Sequence, residues 1–450
     1  MTRVRRFARW LVVVSYVASA TPGFLQSQAQ KERIVVVISL DGFPADALQD
    51  PRLPIPTLRK LAREGAVADS MQPVNPTVTW PNHTTIVSGV DASEHQVLFN
   101  GLLTRPGKNA PMAIEPWRDK DLLVHSPTIY DAAHDAGFTT AQVDWVAIYN
   151  ARTIDWKFPE LPDPNGEVER ELIADGTVTA EQLKTFEDSS QAWQDEIWTD
   201  AAAKILKEHK PNLLLFHLLT LDDLNHAYGP MSAGSVTAMA YLDSQVRRIV
   251  EILQRPDFAK RSTLIIVSDH GFRSYKFEIH PNVLLQEKGL LHLEDGTWKG
   301  DAWVVPEGGT AMVHVTNSSR KAELIPALKS IYALAEGVER VYVAEDFAKL
   351  GLPTSAQSDQ APDLVLAAKP DYCFAGDPGK SFVSSATGGT HGFLNSDPNI
   401  GAIFLAWGAG VPKGVRLGSI TNREVAPTIA KLLGIELKSA RGRKIPGIGQ

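Results

Sequence analysis

Residues 34–42 read IVVVISLDG, and this stretch determines the expected fold. A continuous apolar run rich in β-branched side chains is typical of a strand that is buried on both faces of a sheet. Two later runs have the same character, NLLLFHLL at 212–219 and TLIIVS at 263–268. Because such strands belong mainly to parallel sheets, the sequence predicts an α/β fold with helices on both faces.

Weaker patterns around these runs complete an alternation of strands and helices. Further strands are predicted at 139–143, 311–315, 363–367 and 402–406. Helices are predicted at 56–64, 82–88, 127–136, 190–209, 233–253, 321–335 and 423–434. We therefore expect a mostly parallel central sheet in a single domain that covers residues 30–450. Segments around 145–190, 273–310 and 352–389 are interpreted as insertions that form a cap over the sheet edge.

The composition is that of a globular protein with an acidic surface. Of 450 residues, 44% are hydrophobic and 22% are charged, and the formal net charge is −7. These values exclude a disordered chain, a coiled coil and a collagen-like repeat. An acidic surface also argues against stable nucleic-acid binding. Because Cys373 is the only cysteine, an intrachain disulfide and a multi-cysteine metal site are excluded.

The first 29 residues have the pattern of a secretory signal peptide. They contain four arginines and no acid, and an apolar run of about eleven residues extends from Trp10 to Ala20. Cleavage is expected after Ala20 or Ala29. The alternative, a membrane anchor, needs a longer apolar run to span a bilayer. We therefore expect a bacterial periplasmic or secreted protein without membrane association after cleavage.

Acidic residues follow the three apolar strands. IVVVISL is followed by Asp41, NLLLFHLL by Asp222 and Asp223, and TLIIVS by Asp269. In an open α/β sheet, ligands bind beyond the carboxyl ends of the strands. Carboxylates gathered at this edge repel one another unless a cation neutralises them. The pattern therefore favours a divalent metal site.

The spacing of histidines supports this interpretation. Asp222 and His226 are four residues apart, so a helix would place them on one face. Asp269 and His270 are adjacent and could serve two metals or lie between them, and His391 is flanked by small residues. Histidine with aspartate favours zinc-like metals. Asp223 lacks a partner of this kind and is expected to be solvated or to lie behind the ligands.

The other histidines, among them His83 and His217, have no matching partner in the sequence. We expect them to be structural or exposed.

A candidate nucleophile lies near a predicted helix start. Thr79 is followed by Trp80 and then by Pro81 and Asn82, and the last two are typical of the first residues of a helix. A hydroxyl at this place is close to free N–H groups and to the positive end of the helix dipole, where a phosphate is stabilised. The alternative is a threonine that only caps the helix.

In combination, these motifs resemble the alkaline phosphatase superfamily and, within it, the nucleotide pyrophosphatase/phosphodiesterase (type I phosphodiesterase) family. The matching features span residues 34–393 in the family's order. They are Asp41-Gly42, Thr79-Trp80-Pro81-Asn82-His83, Ser93-Glu94-His95 leading to Asn100, Asp222 with His226, Asp269-His270-Gly271 and Thr390-His391-Gly392.

The resemblance implies an alkaline phosphatase-like catalytic domain with two zinc ions. The ligands of one zinc would be Asp222, His226 and His391, and those of the other Asp41, Asp269 and His270. The Thr79 hydroxyl would lie beside the second zinc, and Asn100 resembles the residue that donates to a non-bridging phosphate oxygen. The substrate would be a small phosphate ester or a nucleotide.

The chemistry expected from the resemblance is in-line displacement at phosphorus between two metal ions, through a covalent phosphothreonine at Thr79. Asn100 is a neutral donor, which suits a diester with one negative charge. A phosphomonoesterase or a phosphonate hydrolase on the same metal core is the alternative, and Arg152 would be the candidate cation for a monoester. A sulfatase is disfavoured because Cys373 lacks the required sequence context. An inactive binding protein with the same fold is the remaining possibility.

Overall fold

The computed structural model describes residues 31–105, 110–376 and 381–450. The expected signal peptide, 1–29, lies outside the described residues. In chain order the strands are β1 (Ile34–Leu40), β2 (Ala66–Val67), β3 (Ser70–Gln72), β4 (Leu102–Thr104), β5 (Ala113–Glu115), β6 (Thr140–Val143), β7 (Trp156–Phe158), β8 (Leu213–Leu218), β9 (Ser262–Val267), β10 (Arg273–Ile279), β11 (Leu291–Glu294), β12 (Thr297–Gly300), β13 (Ala302–Glu307), β14 (Thr310–Val315), β15 (Val338–Tyr342), β16 (Leu364–Ala368), β17 (Asp371–Phe374), β18 (Val383–Thr390), β19 (Phe404–Gly408), β20 (Val415–Arg416) and β21 (Ser419–Thr421).

The helices alternate with these strands over most of the chain. They are α1 (Pro56–Glu64), α2 (Thr79–Ser88), α3 (Ala92–His95), α4 (Lys120–Leu123), α5 (Ile129–Asp135), α6 (Glu167–Ala174), α7 (Ala180–Lys184), α8 (Gln191–Glu208), α9 (Thr220–Tyr228), α10 (Ala233–Leu253), α11 (Pro281–Glu287), α12 (Lys321–Ala333), α13 (Ala344–Leu350) and α14 (Val425–Leu433).

A central sheet of the described residues has the strand order β20-β2-β19-β9-β1-β8-β6-β7. β19 runs antiparallel to both of its neighbours, β9 and β2, whereas the other pairs in the sheet are parallel. The expected α/β fold with a mostly parallel sheet is therefore confirmed.

Strand β1 shows why helices cover both faces of this sheet. Successive side chains of a strand point to opposite faces. Ile34, Val36, Ile38 and Leu40 pack in one apolar cluster with side chains of α8 and α10. Val35 and Val37 pack in a second cluster with α5 and α14. Every residue of β1 is buried, as its continuous apolar sequence predicts.

The parallel pairing brings the expected site residues to one edge. β1 lies between β8 and β9, and Ser39 is level with both His217 and Val267. Asp41 therefore lies close to the start of α9 and to the residues that follow β9.

Two smaller sheets take several strands from the segments that the sequence analysis interpreted as insertions, whereas β14 and β15 come from the chain between those segments. β10 pairs with β17 and β18, and β13, β14, β16 and β15 form a four-stranded sheet. Arg273 of β10 lies opposite Thr390 of β18, so the residues before β10 meet the residues after β18. The rings of His270 and His391 accordingly stack with their centroids 3.8 Å apart.

Candidate metal centre and active site

Two groups of possible metal ligands meet at the carboxyl edge of the central sheet. One consists of Asp41, Asp269 and His270, and the other of Asp222, His270 and His391. Within each group, one ligand atom from each side chain lies within 4.8 Å of the others. His270 belongs to both groups, and its Nε2 is 3.1 Å from Asp269 Oδ2 and 3.5 Å from Asp41 Oδ1.

His226 lies beside the second group. One helical turn of α9 separates it from Asp222, and its Nε2 is 3.5 Å from Asp222 Oδ2. Its ring centroid is 5.0 Å from that of His391. The structure therefore brings the expected trio of Asp222, His226 and His391 together, with His270 as an additional neighbour. Asp223 is in neither group and lines a separate pocket.

The protein holds one atom of several of these side chains and leaves the other atom free. Asp269 Oδ1 accepts from the backbone N–H groups of Gly42 at 3.3 Å and His270 at 3.0 Å. His391 Nδ1 is 3.1 Å from the carbonyl oxygen of Thr77, and His226 Nδ1 is 3.1 Å from that of Gly389. Because a carbonyl oxygen only accepts, Nδ1 carries the hydrogen and Nε2 keeps its lone pair in the neutral ring.

Four buried atoms at this edge lack a hydrogen-bond partner among the described residues. They are Asp41 Oδ1, Asp269 Oδ2, Asp222 Oδ1 and His270 Nε2. Buried polar atoms are normally paired, and an unpaired one costs about 1–3 kcal/mol. Divalent cations bound at the two groups would satisfy all four, and a mixed nitrogen and oxygen donor set suits zinc-like metals. These residues therefore fit a metal centre.

The pKa values of the three carboxyl groups also favour a bound cation. Burial raises the pKa of Asp222 and of Asp269 well above the usual value, and the Asp41 charge raises both further. Burial also opposes ionisation of Asp41, but a hydrogen bond from His217 and nearby histidine charges outweigh it and lower its pKa. A cation relieves the repulsion among the three carboxylates.

The histidines of the site are suited to ligation at neutral pH. Burial lowers the pKa of His270 to about 4. It also lowers the pKa of His226, and it lowers that of His391 together with the charges of His270 and His226. The three rings are therefore neutral at pH 7, which is the form that binds a metal.

Thr79 is the first residue of α2, three residues before the predicted helix start. The prediction placed too much weight on Pro81, which is tolerated in a first turn because its missing N–H has no partner there. The Thr79 hydroxyl makes no hydrogen bond with the described residues, so it has no observed capping role. The carbonyl oxygen of Thr79 accepts from His83 Nδ1 at 2.9 Å, and this nitrogen is 3.6 Å from Asp269 Oδ2.

Asn100 lies next to the start of α2. Its Oδ1 accepts from the backbone N–H of Trp80 at 2.9 Å. The Nδ2 group of this exposed side chain therefore remains available as a donor. The contact also occupies the Trp80 N–H, one of the free N–H groups that were expected to receive a phosphate. The Asn100 Nδ2 group can donate to a phosphate in place of that N–H.

A model of the family described as type I phosphodiesterase / nucleotide pyrophosphatase matches residues 35–394. The chain belongs to this family. Rat ectonucleotide pyrophosphatase/phosphodiesterase family member 7 is 24% identical over 96% of this chain and 90% of its own length. Human family member 1 is also 24% identical, over 89% of this chain and 40% of its own length.

Solved structures agree in fold. Murine ectonucleotide pyrophosphatase/phosphodiesterase 5 superposes with a TM-score of 0.69 at 18% sequence identity, covering 91% of this chain and 97% of the murine chain. A second structure of the murine protein holds AMP in an inactive threonine-to-alanine variant. In the part of the present chain that the structure describes, no helix is long and apolar enough to cross a membrane.

Three further residues of the present protein lie at the site, although the sequence analysis did not place them there. His83 and His217 are fully buried, and their ring centroids are 4.3 Å apart. His217 Nε2 is 3.0 Å from Asp41 Oδ2, and Nδ1 is 3.2 Å from Asp144 Oδ2. Asp144 directly follows β6, so the same strand-end argument that selected Asp41 could have found it. A single histidine inside the apolar run of β8 was the available signal for His217.

Arg152 and Cys373 lie in other surroundings. The Arg152 side chain is 89% exposed and pairs with Asp121 at 3.2 Å. Cys373 is a buried thiol whose pKa is raised by burial to about 12. Neither position supplies a reactive group to the two ligand clusters.

Proposed function

We propose that this protein is an exported two-zinc phosphodiesterase/nucleotide pyrophosphatase that uses Thr79 as its nucleophile. One observation carries the proposal. Four unpaired buried ligand atoms converge at the sheet edge where α2 begins with a threonine whose hydroxyl has no partner among the described residues. Family membership supports the hydrolysis of phosphoric esters or pyrophosphates as the reaction.

The proposed ligands form two sets, and His270 lies close to both. Asp41, Asp269 and His270 would hold one ion, with Thr79 beside it. Asp222, His226 and His391 would hold the other. When bound, two such ions stabilise negative charge on the attacking and leaving oxygens of an in-line displacement.

Thr79 and Asn100 have distinct roles in the proposed reaction. The Thr79 Oγ1 attacks phosphorus and loses its proton to solvent. As the Oγ1–P bond forms, the P–O bond to the leaving group breaks, and the leaving oxygen takes a proton if its basicity requires one. Water then cleaves the Oγ1–P bond, restoring the hydroxyl and releasing a phosphate monoester. Asn100 Nδ2 donates to a non-bridging oxygen as charge develops.

A diester fits the charges around the site better than a monoester. Among the described residues, the acids of both clusters form ion pairs with histidines and with no lysine or arginine. Arg152 points to Asp121 instead. A nucleotide is the substrate class that we propose, which the AMP complex of the murine relative supports.

Export is the part of the proposal that rests on residues 1–29 alone. Their basic start and short apolar run support a signal peptide. Mass spectrometry of the protein recovered from a bacterial periplasm should find a new N-terminus at residue 21 or 30. Recovery of the intact N-terminus from the cytoplasm would refute this part.

Two substrates test the activity. Protein loaded with zinc should hydrolyse bis-p-nitrophenyl phosphate much faster than p-nitrophenyl phosphate, and a chelator should abolish both reactions. A preference for the monoester would favour the phosphomonoesterase alternative. Turnover that survives complete metal removal would refute the metal centre.

A further inference from the structure

Asp144, His217 and Asp41 form a chain of contacts behind the first ligand cluster. All three side chains are fully buried. His217 Nε2 is 3.0 Å from Asp41 Oδ2, and Nδ1 is 3.1 Å from the backbone carbonyl oxygen of Asp144. The Asp144 carboxylate also approaches Nδ1, with Oδ2 at 3.2 Å.

These contacts determine the direction in which His217 donates. Both ring nitrogens face acceptors, because Nδ1 faces the carbonyl oxygen of Asp144 and Nε2 faces the Asp41 carboxylate, so both donate and the ring is the imidazolium. Donation from Nε2 fixes Oδ2 of Asp41. The other oxygen, Oδ1, is then left 3.5 Å from His270 Nε2 and has no hydrogen-bond partner among the described residues.

Asp144 has a backbone conformation that suits this arrangement. Its φ is +54°, in the left-handed region that aspartate adopts more readily than most residues but at a cost of about 1 kcal/mol. Its N–H donates to the carbonyl oxygen of Phe158 at 2.9 Å. In this conformation both its carbonyl and its carboxylate oxygens face one ring nitrogen of His217. A buried carboxylate is costly unless it is paired, and His217 is the partner that the structure provides.

Strand pairing and ring packing hold His217 in place beside Asp41. His217 lies in β8, and Asp41 directly follows β1. The two strands are neighbours and are paired with Ser39 opposite His217. The ring of His83 packs against the His217 ring at 4.3 Å. The imidazole therefore has little room to turn away from Asp41.

We propose that His217, oriented by Asp144, is a positioning residue that presents Asp41 Oδ1 to the metal held with Asp269 and His270. The inference rests on the proposed function, because it requires Asp41 to be a ligand. Hydrogen-bonded partners behind metal ligands typically contribute 10- to 100-fold in metal affinity.

The test is metal affinity rather than turnover. The dissociation constants of both Co²⁺ ions are measured by competition with a chromophoric chelator, together with the Co²⁺ absorption spectrum. In His217→Phe, which keeps a ring but has no donor, one constant should rise 10- to 100-fold, with a changed spectrum. In His217→Gln, whose amide still donates, much of this loss should be recovered. Asp144→Asn should show a smaller loss at the same site.

His95→Gln is the matched control. His95 is also fully buried and has both ring nitrogens hydrogen-bonded, to Thr85 Oγ1 and to the Val97 N–H, but it touches no proposed ligand. The control should lose stability while both Co²⁺ constants stay as in the parent.

Two results overturn different claims. If the parent protein binds no divalent ion, the proposed function fails. If the parent binds two ions, and the folded His217 variants bind both with unchanged affinity, the positioning role alone is refuted. Should His217→Phe not fold, His217→Gln and Asp144→Asn give the deciding values, and parental affinity in both refutes the role.

Discussion

Replacement of Thr79 by alanine should separate a catalytic role from a structural one. The Thr79 side chain is 8% exposed, and its hydroxyl has no partner among the described residues. The substitution therefore removes about one buried methyl group and no hydrogen bond, which costs about 1 kcal/mol of unfolding free energy. Turnover should fall at least about 1,000-fold, equivalent to about 4 kcal/mol in the activation barrier.

The assay measures kcat on bis-p-nitrophenyl phosphate, bound metal and thermal unfolding for each variant. Thr79→Ser should keep partial activity because it retains the oxygen but loses the methyl group that restricts its rotamer. Thr84→Ala is the control on the same helix. Its hydroxyl donates to the carbonyl oxygen of Trp80 at 2.8 Å, so its loss should cost about 1 kcal/mol and leave kcat unchanged.

The result that would refute this reasoning is a Thr79→Ala protein that binds both metals and turns over like the parent. Direct attack by water would then be the better account. A dead Thr79→Ala variant that has also lost its metals would assign Thr79 to the metal centre and leave its role as nucleophile unsupported.

Three further outcomes are expected. Asp222→Ala should lose one metal ion and nearly all activity, whereas Asp223→Ala should keep both; the reverse pattern would exchange the roles of the two neighbours. Elemental analysis after zinc reconstitution should find two ions per chain, and one or none would contradict the two ligand sets. Burial lowers the pKa of His314 to about 3. Below pH 6.5 the unfolded chain therefore binds a proton at His314 that the folded chain does not bind. Between pH 7 and pH 5 the parent should therefore lose about 2 kcal/mol more unfolding free energy than His314→Leu in urea titrations. Equal losses in the two proteins would contradict this pKa.

The fold was accessible from the sequence because its central strands are continuous apolar runs. β1, β8 and β9 could be recognised without knowledge of their neighbours, and the rule for parallel sheets then placed Asp41 and Asp269 at one edge. The start of α2 was misplaced because proline and asparagine mark helix starts over several positions rather than one.

The parts that could not be predicted depend on long-range pairing. His270 was expected to serve two metals or lie between them, but its contact with His391 depends on the pairing of β10 with β18. The contact of His217 with Asp41 depends on the register of β8 against β1. No local pattern encodes either pairing, so His217 was expected to be structural or exposed.

The most direct test of the central claim is to isolate the covalent intermediate. Zinc-loaded protein is mixed with bis-p-nitrophenyl phosphate, quenched with acid within one turnover, digested and examined by mass spectrometry. The account predicts a nitrophenyl phosphoryl group on the peptide that contains Thr79, located at Thr79 by fragmentation and missing from Thr79→Ala. An unmodified Thr79 peptide in samples quenched during active turnover, with product already formed, would contradict it.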